Sequence, residues 1–157
     1  NNMRGKQAPK RNLLPDQRYN NITVSIFINY VMKNGKKTVA EKIVYDCFDE
    51  IEKNTKMKGL DVFEQAIKNV SPQVEVRSRR IGGGNYQIPV EVRSLRRESL
   101  AFRWILTAAK SKKGKKMSSK LADELVEAYN NRGDAIKKKD DVYKMAQANR
   151  AFAHFIK

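Results

Sequence analysis

Residues able to do acid–base, nucleophilic or metal chemistry are scarce in this sequence. It has one histidine, His154, and one cysteine, Cys47. A Cys/His zinc centre needs about four such ligands, so none can be built, and a lone cysteine has no internal disulfide partner. Two acidic pairs, Asp123-Glu124 and Asp140-Asp141, have the composition for Mg²⁺ coordination. Adjacent positions on a helix point in different directions, so helix-start and solvent-facing roles suit them better. No nucleophile, base and orienting group form a set. The sequence therefore reads as that of a protein that is not an enzyme and requires neither cofactor nor metal.

The abundant chemistry is cationic. Lys and Arg number 33 against 17 Asp and Glu, a formal net charge of +16. Such an imbalance opposes compaction and calls for a polyanionic partner, nucleic acid before an anionic membrane. The membrane reading is disfavoured: the most apolar stretch, residues 22–32, is broken by Thr23, Ser25 and Asn29, and a spanning helix needs ~20 apolar residues. No apolar run of signal-peptide type follows the basic first residues. The glycosylation patterns at Asn21-Ile-Thr and Asn69-Val-Ser then read as chance matches, and the expected location is the cytosol or an organellar matrix.

The charge is unevenly spread. Residues 41–70 hold seven acids and five bases, a sum of −2, while the rest of the chain holds 28 bases and 10 acids, +18. Four elements collect the bases. They are an N-terminal tail (Arg4, Lys6, Lys10, Arg11, Arg18), a hairpin with its exit (Arg77, Arg79, Arg80, Arg93, Arg96, Arg97), a loop (Lys112, Lys113, Lys115, Lys116) and a last helix (Arg132, Lys137, Lys138, Lys139, Lys144). One such run is ordinarily a solvated face; four together suit phosphate binding with counterion release, to which Arg adds bidentate contacts. Within the loop, Lys116-Met-Ser-Ser-Lys120 looks like the KMSKS loop of class I aminoacyl-tRNA synthetases. That loop needs a nucleotide-binding fold and an upstream His-rich signature, and the one histidine here lies downstream.

The elements that must position these cations are mostly helical. Residues 22–32 fit a strand alternation (Ile22, Val24, Ile26) and a helical stripe (Ile22, Ile26, Phe27, Tyr30, Val31) equally. Thr38 and Glu41 predict a capping box for a helix burying Ala40, Ile43, Val44, Cys47, Phe48 and Ile51. A third helix carries Val62, Phe63, Ala66, Ile67 and Val70 and stops before Ser71-Pro72. The period then changes to two: Val74 and Val76, then Tyr86, Ile88, Val90 and Val92, flank a tip of Gly82, Gly83, Gly84 and Asn85, a β-hairpin. Ser94 is the expected cap of a fourth helix using Leu95, Ala101, Phe102, Ile105, Ala108 and Ala109. Leu121, Ala122, Leu125, Ala128 and Tyr129 mark a fifth, ended near Gly133, and a sixth starts at about Asp140. Phe27, Phe48, Phe63 and Phe102 read as core, whereas Tyr30, Tyr86 and Trp104 suit packing or base stacking alike. The expected fold is mostly α: a single six-helix RNA-binding domain over residues 19–157, with a protruding hairpin at about 73–92 and a basic extension over 1–18.

Several segments together resemble the bacterial or organellar type of ribosomal protein seven of the small subunit. They are Leu14-Pro-Asp-Gln-Arg-Tyr19, Met32-Lys-Asn-Gly-Lys-Lys37 with Ala40-Glu-Lys-Ile-Val-Tyr45, the hairpin from Val74 to Val92, Arg96-Arg97, Arg103-Trp104-Ile105, and Met145 to His154. The resemblance spans Lys10 to His154. It departs at Asn1-Asn-Met3, which stand where the family is Arg-rich, and at Gly84 and Asn85, which vary among members. It implies a non-enzymatic structural constituent of the small subunit. Such a protein binds the 3′ major domain of small-subunit ribosomal RNA and nucleates assembly of the head, near the exit-site tRNA and the mRNA exit, beside small-subunit proteins nine and eleven. Ribosomal RNA contacts would then fall to Arg4, Lys6, Lys10, Arg11, Lys36, Lys37, Arg77, Arg79, Arg80, Arg96, Arg97 and Arg103, with Lys112, Lys113, Lys115 and Lys116 from the loop. Gly82, Gly83, Gly84, Asn85, Lys144, Asn149 and Arg150 would face tRNA or mRNA. Two rival classes fit less well. A helix-turn-helix DNA regulator docks one recognition helix, commonly as a dimer, and an RNA-processing enzyme needs a catalytic set.

Overall fold

A computed structural model describes residues 5–155. Its order is α1 (Ile22–Val31), α2 (Lys37–Thr55), α3 (Gly59–Val70), β1 (Val74–Ile81), β2 (Gly84–Glu91), α4 (Ser94–Ser111), α5 (Met117–Tyr129), α6 (Asp134–Ala148) and a 3₁₀ helix (Arg150–Phe155). Helix α5 is central and packs on α2, α3 and α4; the hairpin rests on α6 and the 3₁₀ helix. The core is fused by aromatic contacts: Phe27 lies 5.0 Å from Phe63 and 5.3 Å from Phe102, ring centre to ring centre, and Phe48 lies 5.2 Å from Phe63. Cys47 is fully buried in it, and burial pushes its thiol well above the usual range.

Residues 22–31 resolve as helix, but on a rotated stripe. Asn21 caps α1, its side chain accepting from the Thr23 and Val24 amides at 2.8 and 3.2 Å. Val24, Phe27 and Ile28 are buried, Ile26, Tyr30 and Val31 partly so, and Ile22 is 54% exposed. Two expected caps are not formed. Helix α2 begins at Lys37, which places Thr38 inside the first turn, and α4 begins at Ser94 itself; neither N-cap residue, Lys36 or Arg93, makes a side-chain capping bond. Leu95, on the first turn of α4, is correspondingly 71% exposed.

Helix α6 starts at Asp134, six residues before the expected Asp140. The reason lies in Glu124, whose side chain is buried rather than solvent-facing. Its Oε1 accepts from the Ala135 amide at 3.1 Å, and the Lys112 ammonium sits 3.1 Å from Oε2, an electrostatic partner for an oxygen with no well-aligned hydrogen bond. A carboxylate from α5 thus caps α6 in place of a local residue, close to the helix's positive end. Gly133, at φ +91°, leaves room for it: a Cβ there would stand 3.0 Å from the same Oε1.

The hairpin is an isolated two-stranded antiparallel ribbon with Val74 opposite Glu91 and Ile81 opposite Gly84. The turn is Gly82-Gly83 alone, at φ +54° and +89°. Positive φ at both central residues is what a tight two-residue hairpin turn needs. Gly84 and Asn85, expected in the tip, belong to β2.

Candidate nucleic-acid interface

Cross-strand partners share a face of the ribbon. Arg77 stands opposite Ile88 and Arg79 opposite Tyr86, so both arginines lie on the face that carries buried Ile88. Val74 and Val76 pair with Glu91 and Pro89 on the other face, and both are only half-buried. Arg77 and Arg79 thus alternate away from Val74 and Val76. The core-facing side, however, is the one the arginines themselves occupy. Arg79 donates to the backbone carbonyl of Phe155, and Tyr86 packs on Phe152 with ring centres 4.6 Å apart. Arg80 leaves by the opposite face, beside Asn85.

At the base of the ribbon one carboxylate organises two arginines. Glu75 lies 3.6 Å from Arg77 and 3.3 Å from Arg96. It holds both guanidinium groups near one place while neutralising only one charge. Arg97 is partly structural, its Nε donating to the Val92 carbonyl at 2.8 Å. Arg80 and Arg103 are exposed, with no side-chain hydrogen bond or ion pair among the described residues.

The N-terminal segment divides at Asp16. Lys6, Lys10 and Arg11 are exposed and outside regular structure; Arg4 lies outside the described residues. Asp16 is buried and accepts from the amides of Arg18, Tyr19 and Asn21 at 3.1, 2.8 and 2.8 Å, and from the Tyr45 hydroxyl at 3.2 Å. Arg18 pairs with Asp49 and lies over the rings of Tyr19 and Tyr45, 5.2 and 5.5 Å from their centres. The hydrogen bond to Asp49 holds the Arg18 guanidinium above its ordinary pKa. Arg18 therefore braces the fold.

The remaining clusters are also split between braces and exposed cations. In the loop from α4 to α5, Lys112 is committed to Glu124 and Lys115 to Asp123, 2.7 Å away. The hydrogen bond that Lys115 donates to Asp123 raises the pKa of Lys115. Lys113 and Lys116 are exposed without such partners among the described residues. The KMSSK stretch forms the start of α5: Ser118 is buried and Ser119 donates to Glu50 at 3.0 Å. On α6, Lys137, Lys138 and Lys144 are exposed, whereas Lys139 donates to the Asn69 carbonyl at 2.8 Å. Arg132 sits 3.5 Å from Glu127. Asn149 turns its amide back onto the Met145 carbonyl at 3.3 Å, and Arg150 is exposed. Lys36 and Lys37 project from the turn made by Asn34 and Gly35, at φ +54° and +71°.

Two groups escaped the sequence reading. Lys33 and Lys110 join Lys36 around one hollow between the α1–α2 turn and α4; nothing in the pattern of either local segment signals their meeting. A C-terminal aromatic cluster joins Tyr86 and Phe152 to Phe155 and His154, whose rings are 4.2 Å apart. The spacing of Phe152 and Phe155 was its one trace in the sequence. Among the described residues no three metal-ligating side chains converge, and no helix is long and apolar enough to cross a membrane.

Comparison with known proteins matches this arrangement to one family. Residues 3–150 match the family model of ribosomal protein S7p/S5e. The small ribosomal subunit protein uS7 of Desulfatibacillum aliphaticivorans is 56% identical over 152 residues, 97% of each chain. That of Rhodopseudomonas palustris (strain TIE-1) is 57% identical over 148 residues, 94% of this chain and 95% of its own. That of Thermotoga maritima is 55% identical over 153 residues, 98% of this chain and 99% of its own. With near-complete coverage at this identity, the chain belongs to the ribosomal protein S7p/S5e family, whose members are structural, non-enzymatic, RNA-binding constituents of the small ribosomal subunit.

Proposed function

We propose that this protein binds the 3′ major domain of small-subunit ribosomal RNA directly and nucleates assembly of the subunit head. In this reading residues 1–18 are a basic extension that lies on RNA, and residues 19–157 form one RNA-binding domain. The exit-site tRNA and mRNA face the hairpin tip and the C-terminal end of α6, small-subunit proteins nine and eleven are its neighbours, and the ribosome is one of the cytoplasm or of an organellar matrix.

The observation that carries this reading is the ribbon. Arg77, Arg79 and Arg80 are exposed along it, Glu75 gathers Arg77 and Arg96 at its base, and its two-glycine turn presents no side chain. A narrow cationic ribbon with a bare tip fits a nucleic-acid groove, where phosphates position and the backbone approaches closely. Chemical protection mapping of small-subunit ribosomal RNA with the purified protein tests it. Protections concentrated in the 3′ major domain are expected; protections scattered over the whole RNA overturn it.

A further inference from the structure

One asparagine of the chain is followed by glycine, at Asn34-Gly35. Every other asparagine is followed by a residue whose side chain crowds the peptide nitrogen next to it. The pair sits at the centre of the turn between α1 and α2, with φ +54° and +71°. The Lys36 amide closes the turn on the Lys33 carbonyl at 3.0 Å, and the Lys37 amide donates to the Gly35 carbonyl at 2.9 Å. The Gly35 amide itself has no acceptor among the described residues, and the Asn34 side chain is exposed and makes no hydrogen bond there. A Cβ built on Gly35 would meet nothing within 4 Å, so the peptide plane that joins the two residues has room to turn. Lys33, Lys36 and Lys37 are exposed around it, and residues 31–40 contain no acid. Neighbouring positive charge favours the deprotonated form of a group and stabilises an oxyanion as it develops.

We propose that Asn34 is a site of spontaneous deamidation, and that the reaction marks copies of the protein not held on RNA. The Gly35 nitrogen gives its proton to solvent hydroxide and attacks Cγ of Asn34. A bond forms between that nitrogen and Cγ, the bond from Cγ to Nδ2 breaks, and Nδ2 takes a proton from solvent and leaves as ammonia. The product is a succinimide ring, which water then opens. Attack of water at Cγ leaves aspartate. Attack at the backbone carbonyl carbon of Asn34 leaves isoaspartate, whose main chain runs through Cβ and Cγ. The sum is water in and ammonia out, with no change of oxidation state. Either product sets a carboxylate among the lysines, and isoaspartate also lengthens the main chain inside a tight turn that places Lys36 and Lys37. To bring its nitrogen to Cγ, the Gly35 peptide must rotate out of the turn and give up the Lys33–Lys36 hydrogen bond. RNA lying on these lysines resists that rotation. The marking of unbound copies rests on the RNA-binding reading above; the chemistry of the turn does not.

The test incubates the full chain at mildly alkaline pH, alone and in complex with small-subunit ribosomal RNA. Peptide mass mapping and enzymatic methylation of isoaspartate follow the products. In the free protein, the peptide that holds Asn34 should gain about 1 Da and accept methyl groups, ahead of every other asparagine. Asn34→Gln should remove both signals. Bound RNA should slow the reaction about tenfold, a ratio equivalent to 1.4 kcal/mol of protection. The isoaspartyl form should bind the RNA more weakly than Asn34→Asp, which carries the same charge on an ordinary main chain. No reaction at Asn34 in the folded chain, while a synthetic peptide of residues 31–40 deamidates, overturns the site, and so does earlier reaction at another asparagine. Equal rates with and without bound RNA overturn the marking and leave the site standing. A chain that deamidates at Asn34 yet fails to bind the RNA overturns the RNA reading, and the marking with it, but not the site.

Discussion

A single carboxylate, Asp16, organises the turn that precedes α1 through three backbone amides and ties it to α2 through the Tyr45 hydroxyl. Asp16→Ala strands these donors in a buried position, and a buried unsatisfied donor costs roughly 1–3 kcal/mol. Denaturant unfolding should show a loss of at least that size. Tyr19→Phe makes the contrasting case. The Tyr19 hydroxyl is buried without a hydrogen-bond partner, so its removal should leave stability unchanged or slightly higher in the same measurement. Gly59 supplies a second residue-scale prediction. A Cβ there would stand 2.6 Å from the Phe48 carbonyl oxygen and 2.8 Å from its Cα, backbone atoms that cannot swing aside. Gly59→Ala should lower the midpoint of thermal unfolding through an overpacking penalty of about 1–3 kcal/mol. Neither site was legible in the sequence. Asp16 reads as the one acid of a basic tail: its amide partners are local, but its burial and its bond from the Tyr45 hydroxyl arise only when the chain turns back on α2. Gly59 looks like an ordinary helix start until α2 is laid against α3.

Elements were more legible than their ends. Hydrophobic period located the later helices and the ribbon because burial of one face is a repeated signal, summed over many residues, but it left residues 22–32 open between strand and helix. Caps are single-residue events that tertiary contacts override: Glu124, eleven positions upstream, caps α6, while the promising Thr38–Glu41 box is unused. On the ribbon, the register now separates its cations. Arg77 and Arg79 lie on the supported face, with Arg79 holding the Phe155 carbonyl, and Arg80 lies on the other. Arg77→Ala with Arg79→Ala should weaken binding of a ribosomal RNA fragment and also loosen the C-terminal 3₁₀ helix, visible as faster amide exchange there. Excising Gly82-Gly83 and closing the turn should leave that RNA affinity nearly intact and alter release of exit-site tRNA from assembled subunits. Loss of ribosomal RNA binding on shortening the tip, with normal binding by the arginine variant, would falsify this division of work.

At the scale of the whole molecule, the sequence's charge count was a sound guide to partner class and a poor one to available cations. Arg18, Arg97, Lys112, Lys115 and Lys139 all proved to be engaged within the fold. Composition cannot separate a brace from a phosphate ligand, because both want the same side chain. Enough exposed cations remain on the tail, the GKK turn, the ribbon and α6 to predict a steep salt response. With ~6–10 phosphate contacts, affinity for ribosomal RNA should fall by roughly three to five orders of magnitude between low and moderate salt. A filter-binding titration measures the slope, and a flat one sinks the phosphate-dominated picture. Deleting residues 1–11 should lessen the slope with little change in unfolding, since the described part of that segment, residues 5–11, is exposed throughout.

The support of the ribbon by α6 and the 3₁₀ helix has a consequence for how the protein is made. A lone two-stranded hairpin is marginal in water. The strands over residues 74–91 leave the synthesising ribosome well before residues 134–155, which carry the ribbon's supports. The growing chain therefore holds its arginines on a ribbon that stays unfixed until residues 134–155 have emerged. A chain halted after Tyr129 should retain α1 to α5 yet show unprotected hairpin amides in hydrogen exchange and weakened RNA affinity; full hairpin protection in that fragment would contradict this order. A copy that lacks these supports should therefore compete poorly for RNA against one that has them.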